Sequence, residues 1–301
     1  MLWTCEHFRG CGMVVDWLRD RWFYAALVLL RAQPMSPSEI VGVLKETRSV
    51  NVPIFGPHTV YPESVTRHLG TLARGGLVKP GPLVGRRREY TLTTLGHEML
   101  DSLGDATAYG RDRYEWLVRC ARMQQHMDLC APVPMRSPGD SDEVAEERLR
   151  RRATALLFGV VLSPKWTFAT VAALTRGPLR PYRIIAVVNA AVEASPDVVS
   201  SHLVDSVLAA RLDTLQRMGL VVQIPAEVGR RTSYALTGCG RALMAALEPV
   251  AEFGIRRDAE MTAAVRAMWP SRQRRLSTRT SYTGAPAHGT VDVTRRYPHE
   301  A

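Results

Sequence analysis

Residues 85–96 read GRRREYTLTTLG, and residues 229–240 read GRRTSYALTGCG. Gly85, Arg86, Arg87, Tyr90, Leu92, Thr93 and Gly96 return as Gly229, Arg230, Arg231, Tyr234, Leu236, Thr237 and Gly240, at a constant separation of 229 − 85 = 144. Each copy opens on a glycine and a basic turn. Tyr and Leu then fall at alternate positions, the period of a strand with one buried face. The Thr that follows carries a hydroxyl able to accept from a free N–H in the first turn of a new helix. Basic turn, strand and capped helix are therefore expected twice.

The register extends outward from this stretch. Residues 22–41 align without a gap on residues 166–185 at 144, keeping Trp22/Trp166, Pro34/Pro178, Pro37/Pro181 and Ile40/Ile184. Residues 69–78 align on 212–221 at 212 − 69 = 143 and share L-x-x-L-x-x-x-G-L-V. An internal repeat has to be settled before any fold is assigned, and 301 residues agree with two domains. A basic loop between two short strands, following a helix–turn–helix, is a DNA-contacting wing. The expected fold is mainly α with small β-hairpin wings: two tandem winged helix–turn–helix domains forming a pseudo-dimer. Residues 1–130 make the first domain with its flanking helices, and 131–141 (APVPMRSPGDS) the linker, rich in Pro, Gly and Ser. Residues 142–270 make the second domain. Residues 271–301 hold six arginines and two acids with few apolar side chains, a composition expected to stay disordered.

Helical periodicity supplies the remaining elements. Val14, Leu18, Trp22, Ala25 and Leu29 predict one long helix over residues 13–32. Ser36-Pro37-Ser38-Glu39 is a capping box with Pro at the first helical position, starting a helix that ends near Lys45. Residues 46–61 contain two prolines and a glycine and read as a loop. Pro62 opens the next helix, with Val65, Leu69 and Leu72 facing the core. Its opposite face carries Ser64, Arg67, Thr71 and Arg74, beside His68. The second helix of such a motif presents this face to the major groove, where an Arg can donate two hydrogen bonds to a guanine. Arg86, Arg87 and Arg88 form the first wing. In the second copy the outward face becomes Val207, Ala210, Thr214 and Arg217, next to Arg211, with Arg230 and Arg231 in the wing. The first copy is thus the better base reader, and an operator with two unequal half-sites is expected. Helical segments follow each wing, to about Met123 with breaks near Gly104 and Gly110, and from Arg241 to Trp269. Glu146 and Glu147 precede Arg150 and Arg151 by four, in the favourable order for ion pairs on a helix capped by Ser141.

The formal charge is +10, which favours a polyanionic partner, namely double-stranded DNA. The longest apolar runs fall short of the roughly 20 residues a membrane helix needs. Glu6, His7 and Arg9 stand where a signal peptide would be apolar. A cytoplasmic, nucleoid-associated protein with no membrane partner is expected. Five cysteines without a C-x-x-C pair argue against a disulfide framework. Cys5, His7 and Cys11, and Cys120, His126 and Cys130, form two local clusters whose spacings match no standard zinc pattern, so no metal or cofactor is assigned. A small-molecule effector stays open. No G-x-S-x-G, Walker loop or H-E-x-x-H occurs, and Gly238-Cys239-Gly240 lacks the third glycine of a dinucleotide fingerprint; an enzyme is not expected. The alternative is a winged-helix scaffold that binds protein instead of DNA.

Asp20-Arg21-Trp22, His68-Leu69 to Leu77, and Tyr90 to Gly96 together resemble the HxlR-type winged helix–turn–helix regulators of bacteria, which share the wing with MarR- and PadR-like proteins. Lys165-Trp166, Arg211-Leu212 to Leu220, and Tyr234 to Gly240 repeat the pattern. Members of that family are typically single-domain homodimers paired through terminal helices, so the resemblance implies a fused dimer within one monomeric chain. Many carry Cys-Pro ahead of the first helix, whereas Cys11 here is followed by Gly12.

Overall fold

The computed structural model describes residues 3–46, 61–84, 87–124, 141–194, 201–225 and 232–268. They are mainly helical, with two small antiparallel hairpins. The first repeat comprises α1 (Cys5–Leu18), α2 (Arg21–Ala32), α3 (Pro37–Glu46), α4 (Pro62–Arg74), β1 (Val78–Val84), β2 (Arg87–Leu92), α5 (Thr94–Ser102), α6 (Gly104–Asp112) and α7 (Tyr114–Met123). The second comprises α8 (Asp142–Leu156) running into a π turn (Leu157–Val161), α9 (Thr167–Ala173), α10 (Pro181–Glu193), α11 (Asp205–Arg217), β3 (Val221–Ile224), β4 (Ser233–Leu236), α12 (Gly238–Ala246), α13 (Glu248–Arg256) and α14 (Asp258–Met268).

Over residues 90–96 and 234–240 the two copies of the repeated stretch fold alike, down to single hydrogen bonds. Val78 pairs with Leu92 across one hairpin and Val221 with Leu236 across the other. Met35 and Leu179 each add an isolated antiparallel bridge, to Tyr90 and Tyr234. Thr93 Oγ1 accepts from Gly96 N at 3.2 Å and donates to Gly76 O at 2.6 Å; Thr237 Oγ1 accepts from Gly240 N at 3.1 Å and donates to Gly219 O at 2.6 Å. The final glycine has its own reason. A Cβ at Gly96 would lie 2.3 Å from Leu77 O, and at Gly240 2.2 Å from Leu220 O, so no larger residue fits where the capped helix crosses the chain.

The single helix expected over residues 13–32 is two helices. Asp20 breaks it by accepting from Trp22 N at 2.9 Å, and this cap satisfies a backbone donor that starts α2. Cys5, His7 and Cys11 accordingly lie inside α1 and not before it. Three separate helices follow each hairpin, and the first set breaks at Leu103 and Arg113; Gly110 lies within α6. The Ser36 capping box forms as expected, with Glu39 Oε2 2.6 Å from Ser36 N. The Ser141 cap and the two i,i+4 pairs form too, at 3.2 Å for Glu146–Arg150 and 2.8 Å for Glu147–Arg151. Val65, Leu69 and Leu72 are buried, as are Leu208, Leu212 and Leu215. The loop at residues 47–60, the linker up to residue 140 and residues 269–301 lie outside the described residues.

The two repeats share one continuous core, and they are joined by exchange. Helix α1 of the first packs on α13 of the second, while α8 of the second packs on α6 of the first. Helices α5 and α13, and α6 and α12, pack in the same reciprocal manner. At the first crossing two glycines meet: a Cβ on Gly254 would lie 2.3 Å from Gly10 Cα. At the second, Gly110 faces Ala153, and a Cβ there would lie 3.3 Å from Ala153 Cβ. The crossings differ by 254 − 110 = 144 on one side and 153 − 10 = 143 on the other. The π turn accounts for the missing unit, since it inserts one extra residue into the helix after Ala153.

Gly254→Ala should therefore cost about 1–3 kcal/mol, because backbone must move apart at the crossing. Gly110→Ala should be nearly neutral, as a mild contact is offset by the roughly 1 kcal/mol helix preference of Ala over Gly. Urea unfolding midpoints of the two variants check this order, and equal losses would contradict it.

Candidate nucleic-acid interface

Helix α4 has its buried triplet on one side and Arg67 and Arg74 exposed on the other, with Ser64 half-buried. Thr71 does not offer a free hydroxyl. Its Oγ1 donates to Arg67 O at 3.1 Å and accepts from Arg74 Nη2 at 3.0 Å, so it aims Arg74. Past the tight turn at Gly76, whose φ of 71° suits glycine, the chain enters the first hairpin. Arg87 and Arg88 are exposed on β2, opposite Val84 and Leu83. No described carboxylate forms an ion pair with Arg67, Arg74, Arg87 or Arg88, although Glu63 and Glu89 are exposed on the same elements. Arg67, Arg74 and Arg88 keep their charge available to an anion in solution, while Arg87 also acts on the Glu39 carboxylate, whose main partners are the Ser36 hydrogen bonds.

His68 belongs elsewhere, which corrects its grouping with the outward residues. Its Nδ1 lies 3.3 Å from Asp20 Oδ2, and its ring packs against Trp22 and Phe23 with centroids 6.3 and 5.5 Å away. Burial lowers its pKa from the ordinary histidine value, Asp20 pulls it back up, and Arg67 lowers it again. His68 thus ties α4 to the start of α2.

The second copy is different in kind. Arg211 stands at the position of His68 and is likewise drawn inward: its Nε is buried with no hydrogen-bond partner, and burial lowers its pKa. Arg217 is held by Asp213 at 2.9 Å, and Thr214 Oγ1 donates back to Ala210 O at 2.9 Å. Neither Arg211 nor Thr214 therefore projects as a free polar reader. Beside the exposed Asp205, Ser206, Asp213 and Gln223, this surface carries three exposed aliphatic side chains, Val204 on the approach to α11 and Val222 and Ile224 on β3. Arg86, Arg230 and Arg231 lie outside the residues whose side chains are described.

Sequence reasoning missed one group. Arg180, Tyr182 and Arg183 are exposed at the start of α10; the Arg183 guanidinium lies 5.4 Å from the Tyr182 ring centroid, and Arg183 first, then Arg180, lower the Tyr182 pKa. The signal was present in the repeat, because Ser36, Ser38 and Glu39 occupy these positions in the first copy. The acidic capping box of one repeat is a basic, aromatic cluster in the other.

The chain was compared with protein-family models, with curated proteins and with solved structures. Nothing matches in any of the three. Among the described residues no three His, Cys, Asp or Glu side chains converge on a metal position. His7 is spent in a capping box with Thr4, its Nδ1 2.7 Å from Thr4 Oγ1. Burial raises the Cys11 pKa and pushes Cys120 up to about 12, which keeps both as thiols rather than reactive thiolates. His126 and Cys130 lie outside the described residues. No described helix is long and apolar enough to cross a membrane.

The depressed His68 pKa has a sign that can be checked. Protonation favours the unfolded chain, so this contribution to stability is complete above the unfolded pKa near 6.5 and is lost as pH falls through the folded one. Unfolding free energies measured between pH 7 and 5 should fall less in His68→Asn than in the parent. An identical slope would place the ring in ordinary solvent.

Proposed function

We propose that the chain is a duplex-DNA-binding transcriptional regulator of the HxlR type. In this reading it is two winged helix–turn–helix units fused into a monomeric pseudo-dimer. The observation that carries it is the exposed set Arg67, Arg74, Arg87 and Arg88, on one helix face and the adjoining hairpin strand. Reciprocal packing of the terminal helices supports the pseudo-dimer, since a two-fold interface makes each contact twice. Helix α4 would enter the major groove with Arg67 toward base edges, while the hairpin arginines meet phosphates. The second unit would hold the duplex mainly through its backbone. Arg180 and Arg183 supply charge there, and α11 offers Ala210 and Val207 where α4 offers Arg67 and Ser64. Unequal half-sites about one turn apart, roughly 34–36 Å, are the matching target. Fusion makes the second contact intramolecular, which raises its effective concentration. The molecule would act by occluding or recruiting polymerase in the cytoplasm.

A second reading is favoured by the exposed Val204, Val222 and Ile224, which suit a protein contact better than a phosphate. In that version the second unit, or the whole chain, is an interaction scaffold. Salt-titrated binding to random duplex separates the two: a regulator loses about 10³-fold between 50 and 200 mM salt if about six phosphates are engaged, whereas a scaffold has little affinity at any salt.

Footprinting on the promoter beside its own gene would supply a specific site. On that site Arg67→Ala should cost about 1–3 kcal/mol and relax one base position. Arg88→Ala should weaken all sequences alike and reduce the salt slope by about 1. Ala210→Arg should sharpen the weaker half-site; if it and Arg67→Ala change preference by equally small amounts, the unequal-reader idea fails.

A further inference from the structure

Between α1 of the first repeat and α9 and α10 of the second lies a cavity of about 360 Å³. That is the size of a small-ligand site, commonly ~300–1,000 Å³. Phe8, Val15, Trp166, Phe168 and Val188 supply apolar and aromatic walls, and Gly12 leaves room beside Phe168. The ionisable side chains on its lining are Arg9, Arg19 and Lys165 against Asp16. Two of the cations are already matched. Arg9 Nε lies 2.8 Å from Asp258 Oδ1, and Arg19 Nη1 lies 2.9 Å from Asp16 Oδ1. Lys165 pairs with no described carboxylate; its Nζ donates to Ser201 Oγ and stands 5.0 Å from the Trp166 ring centroid. An ammonium beside an indole, at the edge of an aromatic cavity, presents the chemistry that holds a flat anion. The rings take the planar body and the ammonium takes the charge.

The backbone at this wall is strained, which is an independent observation. Trp166 adopts φ 75° and ψ −9°, and it is the one non-glycine residue with positive φ among the described residues. A bulky side chain in this region costs about 1–3 kcal/mol and persists only where its surroundings impose it. The repeat shows how it arises. In the first copy Asp20 caps α2 and Trp22 lies within the first helical turn. In the second copy Pro164 occupies the position of Asp20, no side chain caps α9, and Trp166 becomes the cap residue itself. The indole is then buried as a wall of the cavity.

The reciprocal location differs. There the π turn thickens the end of α8 and buries Leu157, Phe158, Val160 and Val161. No ionisable side chain occurs between Arg152 and Lys165, so nothing corresponds to Asp16 and Arg19. We infer that the chain binds one small planar aromatic anion, a carboxylate or sulfonate, in the cavity between α1 and α9–α10. Lys165 is its counter-ion, and Trp166 and Phe168 are its aromatic walls. The pseudo-symmetric location lacks counterparts of Asp16 and Arg19 and of the strained Trp166 backbone, so one molecule per chain is expected. This inference does not rest on the DNA-binding reading and is tested without DNA.

The full-length chain is titrated with 8-anilinonaphthalene-1-sulfonate, and in parallel with uncharged N-phenyl-1-naphthylamine. Fluorescence gives affinity and calorimetry gives stoichiometry. One sulfonate probe per chain is expected. Lys165→Gln, at an exposed side chain, should weaken the sulfonate about tenfold and leave the uncharged dye unchanged, as loss of one charge-assisted contact requires. Ala191→Trp, which fills the cavity, should abolish both. A thermal melt confirms folding, and Gly12→Leu replaces it if that variant fails to fold. Two or more equivalent probes per chain, no binding, or equal effects of Lys165→Gln on both dyes would overturn the assignment. So would sulfonate binding that survives the filled cavity, since the probe would then sit on exposed apolar surface.

Discussion

Everything in this molecule depends on how closely α1 can lie against α13. Gly10 and Gly254 remove both side chains at the crossing, and the helix backbones come into direct contact. Close approach maximises dispersion contact along both helices and brings the flanking apolar rows together. Phe8, Cys11, Met13, Val14 and Val15 on one side, and Val250, Ala251 and Phe253 on the other, are all buried as a result. The same exchange recurs between α8 and α6, so each repeat completes the core of the other. Neither half has a closed interior of its own. Polar contacts then fix the register: Arg257 Nε meets Glu98 Oε2 at 2.9 Å, and Trp116 Nε1 donates to Met218 O at 2.8 Å, each across the two repeats.

Covalent fusion relieves the two copies of having to be identical. A homodimer changes both copies with one mutation, but a duplicated chain can change one alone. The contrast is consistent along the sequence. Arg67 becomes Ala210, His68 becomes Arg211, and the Ser36, Ser38 and Glu39 set becomes Arg180, Tyr182 and Arg183. Both copies of the helix that follows the loop keep two arginines, but Arg211 is drawn inward and Arg217 is paired with Asp213, while the preceding helix gains Arg180 and Arg183. Asp20 becomes Pro164, which trades a helix cap for a strained Trp166. These substitutions retain the buried leucines and the crossing glycine shared as Gly110 and Gly254, while altering what faces outward. On the proposed reading they convert a pair of equal readers into one reader and one grip.

How much of the fold could be read in advance differs between contacts made locally and contacts made at a distance. Thr93 and Thr237 cap their helices because donor and acceptor lie three residues apart, and the capping box at Ser36 follows for the same reason. Val65, Leu69 and Leu72 are buried because their i, i+4, i+7 spacing puts them on one face of a helix, and that spacing is written in the residue order. Periodicity alone ran α1 and α2 together, since apolar spacing continues across the break. What stops the helix is a side-chain acceptor at Asp20, and this was visible only as the start of a motif. Helical spacing puts His68 and Arg211 next to residues of the outward face. Their actual direction was set by Asp20, Trp22 and Phe23 in one copy and by burial in the other, and those partners are remote in sequence.

By itself the sequence determined the duplication, the helix-then-hairpin order within each copy, the caps at Ser36, Thr93, Ser141 and Thr237, and which copy carries the charged helix face. All of these follow from identity at a fixed spacing or from hydrogen bonds between near neighbours. Tertiary structure alone decided which helices exchange between repeats, that Gly10 meets Gly254, that Thr71 serves Arg74, and that a cavity opens beside Trp166 where the two repeats meet. The reason is physical. A residue's own spacing fixes which side of its element is apolar, but which partner covers that side depends on shape matching between segments up to 254 − 10 = 244 residues apart.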